Sequence, residues 1–322
     1  MRAARTLSLD STVVVELPDP VCGPGEVVCR VLASATCGSD VHGWYVARKL
    51  PAVLGHEPVG EVVEASAGVT GVAPGDLVAI HHHAACGGCR VCASGHETLC
   101  PQFRSTRLDP GGFAEYVRVQ PELVGELLPL GGLDPVAATL TEPLACALRA
   151  QDRVGLTARD TLLVVGAGAS GLLHVAAARA RGVERVLVAE PRADRRERAL
   201  AWGAEPFEPA AAIDVALVTS DRPEAIAAGA AALGAGGRLC VYAPPHPGVP
   251  IAVDGAELFL RELTVTSSWS AGAADMRAAL ALLQGGAVRA GELITHRFGL
   301  EDTGAALAAQ RDGSALKAVV LP

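Results

Sequence analysis

Four cysteines fall within a short span, as Cys86-x-x-Cys89-x-x-Cys92-x₇-Cys100. Thiolates spaced so closely have few uses besides holding a tetrahedral zinc. Buried cysteines also serve as small hydrophobes, but Gly87, Gly88 and Gly95 leave this segment little core to fill. A metal closed by four protein ligands has no exchangeable position, so the expectation is a structural zinc that folds a lobe. A zinc module that reads DNA needs basic flanks, and Arg90, Arg104 and Arg107 are too few. The net charge of −8 likewise opposes a phosphate-backbone binder, and aromatic residues make up only 3%, too few for stacking on single strands. No nucleic-acid partner is expected.

The cysteine total of nine is odd and clustered, which favours reduced thiols in a reducing compartment. The N-terminus lacks the apolar run of a signal peptide, and no stretch approaches the roughly 18 uninterrupted apolar residues of a membrane span. The expectation is a cytoplasmic protein with no membrane partner.

Two patterns divide the chain. Residues 1 to about 120 read as short strands (13–17, 26–32, 60–64, 77–80) broken by Pro18, Pro20, Pro24, Gly25, Pro74 and Gly75. Asp134-Pro135 predicts a helix start running through Leu140, and Glu142-Pro143 opens another. From residue 161 a βαβ rhythm takes over, with strands at 161–165, 185–189, 213–219, 238–242 and 263–266 and helices at 172–181 and 194–202. An alanine-rich helix is expected at 225–235, another at 275–283, and a last strand at 317–321. The βαβ portion predicts a doubly wound parallel sheet.

Within it, Gly166-Ala167-Gly168-Ala169-Ser170-Gly171 follows an apolar strand, opens a helix, and is trailed by Glu190 at the end of the next strand. A bare GxGxxG is weak; in this setting it is a dinucleotide fingerprint. Gly166 permits the turn, Gly168 lets a pyrophosphate approach, and Gly171 allows close helix packing. Glu190 suits the ribose hydroxyls of NAD and repels a 2′-phosphate, although Arg192 or Arg195 could meet one. NAD is expected rather than NADP.

Cys37, His56 and Glu142 are ligand types suited to a catalytic zinc, but spacing alone does not join them. The chain resembles the zinc-dependent medium-chain dehydrogenases, the alcohol, sorbitol and threonine dehydrogenase superfamily. The resemblance rests on Cys37-Gly38-Ser39-Asp40-Val41-His42, Gly55-His56-Glu57, Gly75-Asp76, the four-cysteine lobe, 111–117, Glu142-Pro143-Leu144, the glycine turn and 293–298. It runs nearly end to end.

The resemblance implies a two-domain α/β fold. A mostly-β GroES-like catalytic domain (1–143, completed by 270–322) would surround a Rossmann domain (144–269). It implies one catalytic and one structural zinc per chain, with Cys37 and His56 as catalytic ligands. Glu142 stands at the third position, and Glu57 is able to enter as ligands exchange. Asp40 would orient His56. Ser39 would take the substrate proton and pass it through the nicotinamide ribose to His42. Lys317 would face the cofactor pyrophosphate. The activity implied is hydride transfer between a secondary alcohol (polyol, cyclitol or similar) and NAD, in a homodimer or homotetramer joined along the Rossmann sheet edge.

Two alternatives stand beside it: an NADPH-dependent carbonyl or enone reductase, and a non-catalytic nucleotide-binding redox sensor whose zinc is only structural. Only eighteen residues separate Cys37 from His56, fewer than in typical polyol dehydrogenases, so the substrate's identity does not carry over. His81-His82-His83 is expected in the wall or mouth of the cleft, and Cys146 as a buried helical thiol.

Overall fold

In the computed structural model, which describes residues 1–209 and 211–322, the strand Val27–Ala35 organises the N-terminal half. Its valines and small residues are buried on both faces, the pattern of an interior strand. It pairs antiparallel with Glu57–Ala65, with Tyr116–Val119 and with the C-terminal strand Lys317–Leu321. Leu77–Ile80, Leu127–Pro129 and Ile294–Gly299 complete a seven-stranded sheet. A smaller sheet joins Arg2–Ser8 to Ser11–Glu16 and Ala52–Val53.

These elements belong to one unit, Met1–Pro143 with Ala271–Pro322; the other is Leu144–Ser270. In the first unit the C-terminal segment is part of the core. Phe113, Leu54 and Ala4 pack in one cluster with Leu300, Leu307, Ala318 and Val320.

Strand register decides what meets at one end of the sheet. Ala35 lies opposite both Glu57 and Val319, and Thr36 donates its N–H to Ala318 O at 2.9 Å. Val59 lies opposite Ala79. Cys37, His56-Glu57, the histidines after Ile80, and Lys317 therefore converge from four segments distant in sequence.

The second unit holds six parallel strands in the order Glu205–Pro206, Arg185–Ala189, Thr161–Val165, Ile213–Val218, Leu233–Val241, Thr264–Ser267. The order runs outward in both directions from Thr161–Val165, as in a doubly wound sheet. Its core joins Leu163, Leu187, Ala216 and Leu239 with Ile226 of the helix Pro223–Ala232.

Three elements differ from the sequence reading. The alanine-rich helix ends at Ala232, because Leu233 is drawn into the sheet opposite Ile213 and Gly234, Gly236 and Gly237 follow. The helix after the glycine turn starts at Ala169, so the turn is itself the helix N-terminus. The helix capped by Asp134 stops at Ala138, where Thr139 and Thr141 hydroxyls bond carbonyls three residues back. Among the described residues no helix is long and apolar enough to cross a membrane.

Candidate active site

Cys37 leads from the end of Val27–Ala35 into the short helix Gly38–Val41. Asp40, in that first turn, reaches back so that its Oδ2 accepts the Cys37 N–H at 3.0 Å. Its Oδ1 stands 3.3 Å from His56 Nδ1. One buried carboxylate thus fixes the Cys37 backbone and the His56 ring together. Ser39 Oγ lies 3.5 Å from the other ring nitrogen, His56 Nε2.

His56 is delivered by Gly55, whose φ is +89°. A Cβ on Gly55 would meet Phe113 N at 2.8 Å. Only glycine allows the chain to pass Phe113 and still begin the strand at Glu57.

The ligand atoms of Cys37, His56 and Glu57 all lie within 4.8 Å of one another. Burial raises the Cys37 thiol, but His56 and then Lys317 outweigh it and bring it down to about 7. Burial opposes a charged His56 too, yet Asp40 and Cys37 together raise it well above its ordinary value. Asp40 is held low against its own burial, chiefly by His56. A soft sulfur, an imidazole and a carboxylate in so small a volume fit a zinc ion. Glu57 Oε2 lies in the buried interior 2.6 Å from Lys317 Nζ, so a cation bound there would share this carboxylate with that ammonium.

Glu142 is not part of that three-residue group. It lies in the first turn of the helix Thr141–Arg153 and shares a narrow cavity lining with Glu57, Ile80 and Met276. The donor set gathered here is therefore Cys37, His56 and Glu57, with Glu142 at its margin.

Lys317, which the resemblance sets before the cofactor pyrophosphate, instead donates to Glu57 Oε1 at 2.7 Å and is 3% exposed. Burial disfavours its charge, but Glu57 and then Cys37 reverse this and raise its pKa. Lys317 opens the strand that pairs with Val27–Ala35, the strand that leads to Cys37. His42 caps the turn after Asp40, with its ring edge-on to Trp44 at 5.5 Å.

The three histidines after Ile80 do different things. His81 Nδ1 lies 3.3 Å from Glu126 Oε2, and His83 Nδ1 bonds the Thr106 carbonyl at 2.8 Å. The His82 ring lies 4.1 Å from that of His83 and 5.0 Å from that of His56.

The second metal-type group is Cys86, Cys89, Cys92 and Cys100, whose sulfurs lie within 4.8 Å of one another. The pairs Cys89–Cys92 and Cys86–Cys100 are each 3.5 Å apart. Sulfurs around a tetrahedral zinc stand about 3.8 Å apart, so the four fit the ion with little movement. Cys100 is brought down to about 6 because backbone N–H groups, first that of Cys86, outweigh its burial.

In the second unit, a Cβ on Gly171 would fall 2.0 Å from Gly166 O, so the glycine turn packs against its own helix. Glu190 Oε2 accepts the Ala167 N–H at 2.7 Å and Oε1 the Arg192 N–H at 2.9 Å. Its carboxylate therefore already sits at the turn. Arg192 pairs with Asp194 at 2.9 Å, whereas the Arg195 guanidinium stands 3.7 Å from where a Gly168 Cβ would be.

Comparison with known proteins agrees with this architecture. Residues 23–129 match the alcohol dehydrogenase GroES-like domain. An L-threonine 3-dehydrogenase of Pyrococcus abyssi is 34% identical over 315 residues, covering 88% of this chain and 87% of its own. A protein of Sinorhizobium meliloti described as a zinc-binding dehydrogenase, solved bound to NADP, has a TM-score of 0.89 at 28% identity, covering 100% of this chain and 99% of that one. The 2R,3R-butanediol dehydrogenase of Bacillus subtilis has a TM-score of 0.86 at 27% identity with the same coverage. The two-domain α/β fold, the thiol and histidine clusters and a relative this similar over most of both chains lead to one conclusion: this chain belongs to the zinc-dependent medium-chain dehydrogenase/reductase family.

Proposed function

We propose that the chain is a zinc-dependent alcohol dehydrogenase that moves a hydride between NAD and a secondary alcohol of the polyol, cyclitol or similar class. The observation that carries this reading is the gathering of Cys37, His56 and Glu57 around one point, with Asp40 behind the histidine. When bound, zinc polarises the alcohol oxygen and NAD accepts the hydride. Overall, alcohol and NAD⁺ become ketone, NADH and a proton.

The chain's residues supply orientation and proton management. Asp40 fixes the His56 tautomer, leaving Nε2 as the donor atom. Ser39, beside Nε2, takes the hydroxyl proton, and His42 returns it to solvent. Lys317 balances the charge of Glu57, which is the ligand able to exchange, with Glu142 facing the same cavity. The closed Cys86, Cys89, Cys92 and Cys100 site holds a second, structural zinc. Gly166, Gly168 and Gly171 receive the pyrophosphate, and Glu190 exchanges its backbone partners for the ribose hydroxyls. Among the described residues Thr264–Ser267 is the outer strand of its sheet, and Phe259 and Leu260, which precede it in the chain, are exposed; both support a homodimer or homotetramer joined along that edge.

NADP is a second reading, favoured by Arg195 beside Gly168 and by the NADP-bound relative. The experiment is an alcohol panel followed by NADH and by NADPH absorbance, with zinc quantified on the same protein. Two zincs per chain, oxidation of secondary alcohols and preference for NAD are expected. Preference for NADP overturns the cofactor assignment. One zinc and no oxidation overturn the enzyme.

A further inference from the structure

The glycine turn follows the central strand Thr161–Val165, and register sets one residue from each neighbouring strand beside it. Ala189 and Val218 both lie opposite Val165, so Glu190 and Thr219, the next residues, flank Gly166 from either side. Both take hold of the peptide group between Gly166 and Ala167. Glu190 Oε2 accepts its N–H at 2.7 Å. The Thr219 hydroxyl lies 3.2 Å from its carbonyl oxygen and 3.0 Å from that of Val165, with one proton to donate to either. The same hydroxyl fills the space beside the glycines. A Cβ on Gly166 would fall 2.7 Å from Thr219 Oγ1, and one on Gly171 3.4 Å from it. Gly166 itself has φ +99°, a conformation that glycine adopts without strain. A flexible residue in an unusual conformation is thus held by a hydroxyl from a strand more than fifty residues away.

We propose that Thr219 is a positioning residue for the nicotinamide cofactor, its hydroxyl holding the Gly166–Ala167 peptide in the orientation in which the turn and the start of the helix Ala169–Ala180 receive the pyrophosphate. This rests on the dehydrogenase reading above. Glu190 holds the same peptide, but a carboxylate that turns to the ribose hydroxyls releases the Ala167 N–H. Thr219 grips the carbonyl end and keeps its hold through that exchange. A turn fixed before the cofactor arrives has less freedom to lose on binding, and affinity gains by the difference. The side chain's shape is not what matters here. Valine has the same branching but no donor, so Gly166 O would lose its partner on that side.

The test measures binding, without turnover, on the zinc-loaded full chain and on Thr219→Val, Thr219→Ala and Thr219→Ser. Each is titrated by nicotinamide fluorescence with NADH or NADPH, whichever the unmodified chain binds more tightly. Adenosine, which has the ribose but no pyrophosphate, is measured by displacement of that dinucleotide. Thr219→Val should raise the dinucleotide Kd about fivefold, while the adenosine Kd changes less than about twofold. Thr219→Ser, which keeps the hydroxyl, should stay within about twofold of the unmodified chain for both. Thr219→Ala should repeat the loss seen with valine, and it decides the matter if the valine variant does not fold. Unchanged dinucleotide affinity without the hydroxyl overturns the proposal. So does an equal weakening of dinucleotide and adenosine, which marks a general loosening of the unit. Either result leaves the dehydrogenase reading standing. If the unmodified chain binds neither dinucleotide, the cofactor reading fails and this proposal with it.

Discussion

Lys317 Nζ lies 2.6 Å from Glu57 Oε2, with Glu57 fully buried and Lys317 nearly so. A charge pair in such a place is held by its partner more than by solvent. Burial pushes the Glu57 carboxyl up, the Lys317 ammonium opposes this, and Cys37 and Glu142 add repulsion. Removing one partner of a buried pair costs about 3–5 kcal/mol, because the other charge is left uncompensated. Lys317→Met should therefore destabilise the chelator-treated protein by that amount. The penalty should be smaller after zinc is restored, since a cation near Glu57 replaces the lost one. Denaturant melts with and without zinc check this. NAD affinity measured alongside should be unchanged; a large loss would return Lys317 to the pyrophosphate.

Cys37→Ser removes the one thiolate of the proposed catalytic site and leaves the glycine turn untouched. The expected result is a fall in kcat of roughly three orders of magnitude or more, since a metal supplies several kcal/mol of charge stabilisation. Zinc content should drop from two per chain to one, with the NAD dissociation constant preserved. Turnover at the level of the unmodified enzyme sinks the assignment.

The fold was legible where periodicity is local. Leu77–Ile80, Thr161–Val165, Arg185–Ala189 and Lys317–Leu321 have the bounds their apolar runs predict. The junction at Leu233 was not, because alanine suits a helix until a distant strand at Ile213 claims the next residue. The site divides in the same way. Cys86 to Cys100 reads directly because its ligands are close in sequence. Cys37, His56 and Glu57 are joined by strand register, which one sequence does not print, so only the family resemblance linked them, with Glu57 as an exchanging ligand beside Glu142. The Lys317–Glu57 contact spans 260 residues of chain and has no sequence periodicity to announce it.

The lobe makes a separate prediction. Its two halves, Cys89 with Cys92 and Cys86 with Cys100, are brought together in a segment with short helices and many turns. Metal-binding energy there is folding energy. Cys89→Ser should lose one zinc and lower Tm by roughly 5–10 °C. Chelation of the unmodified protein should give a similar loss. An unchanged zinc count in the variant would show that the four thiols do not share an ion.

Acid sensitivity should come from the second unit as well as from the metal. His174, in the helix Ala169–Ala180, is 0% exposed, and neither ring nitrogen has a hydrogen-bond partner among the described residues. Its ring meets the edge of Tyr242 at 4.7 Å. Burial, with Arg181 adding repulsion, pulls its pKa down to about 3. The unfolded chain therefore binds a proton near pH 6.5 that the folded chain refuses. The folded state keeps its full advantage above about pH 6.5 and loses it progressively as pH falls toward 3, on the order of 4 kcal/mol in all. His174→Leu removes that dependence. Urea melts of both proteins at pH 7.5 and pH 5 should show a smaller acid penalty for the variant, and equal slopes would place the acid sensitivity elsewhere.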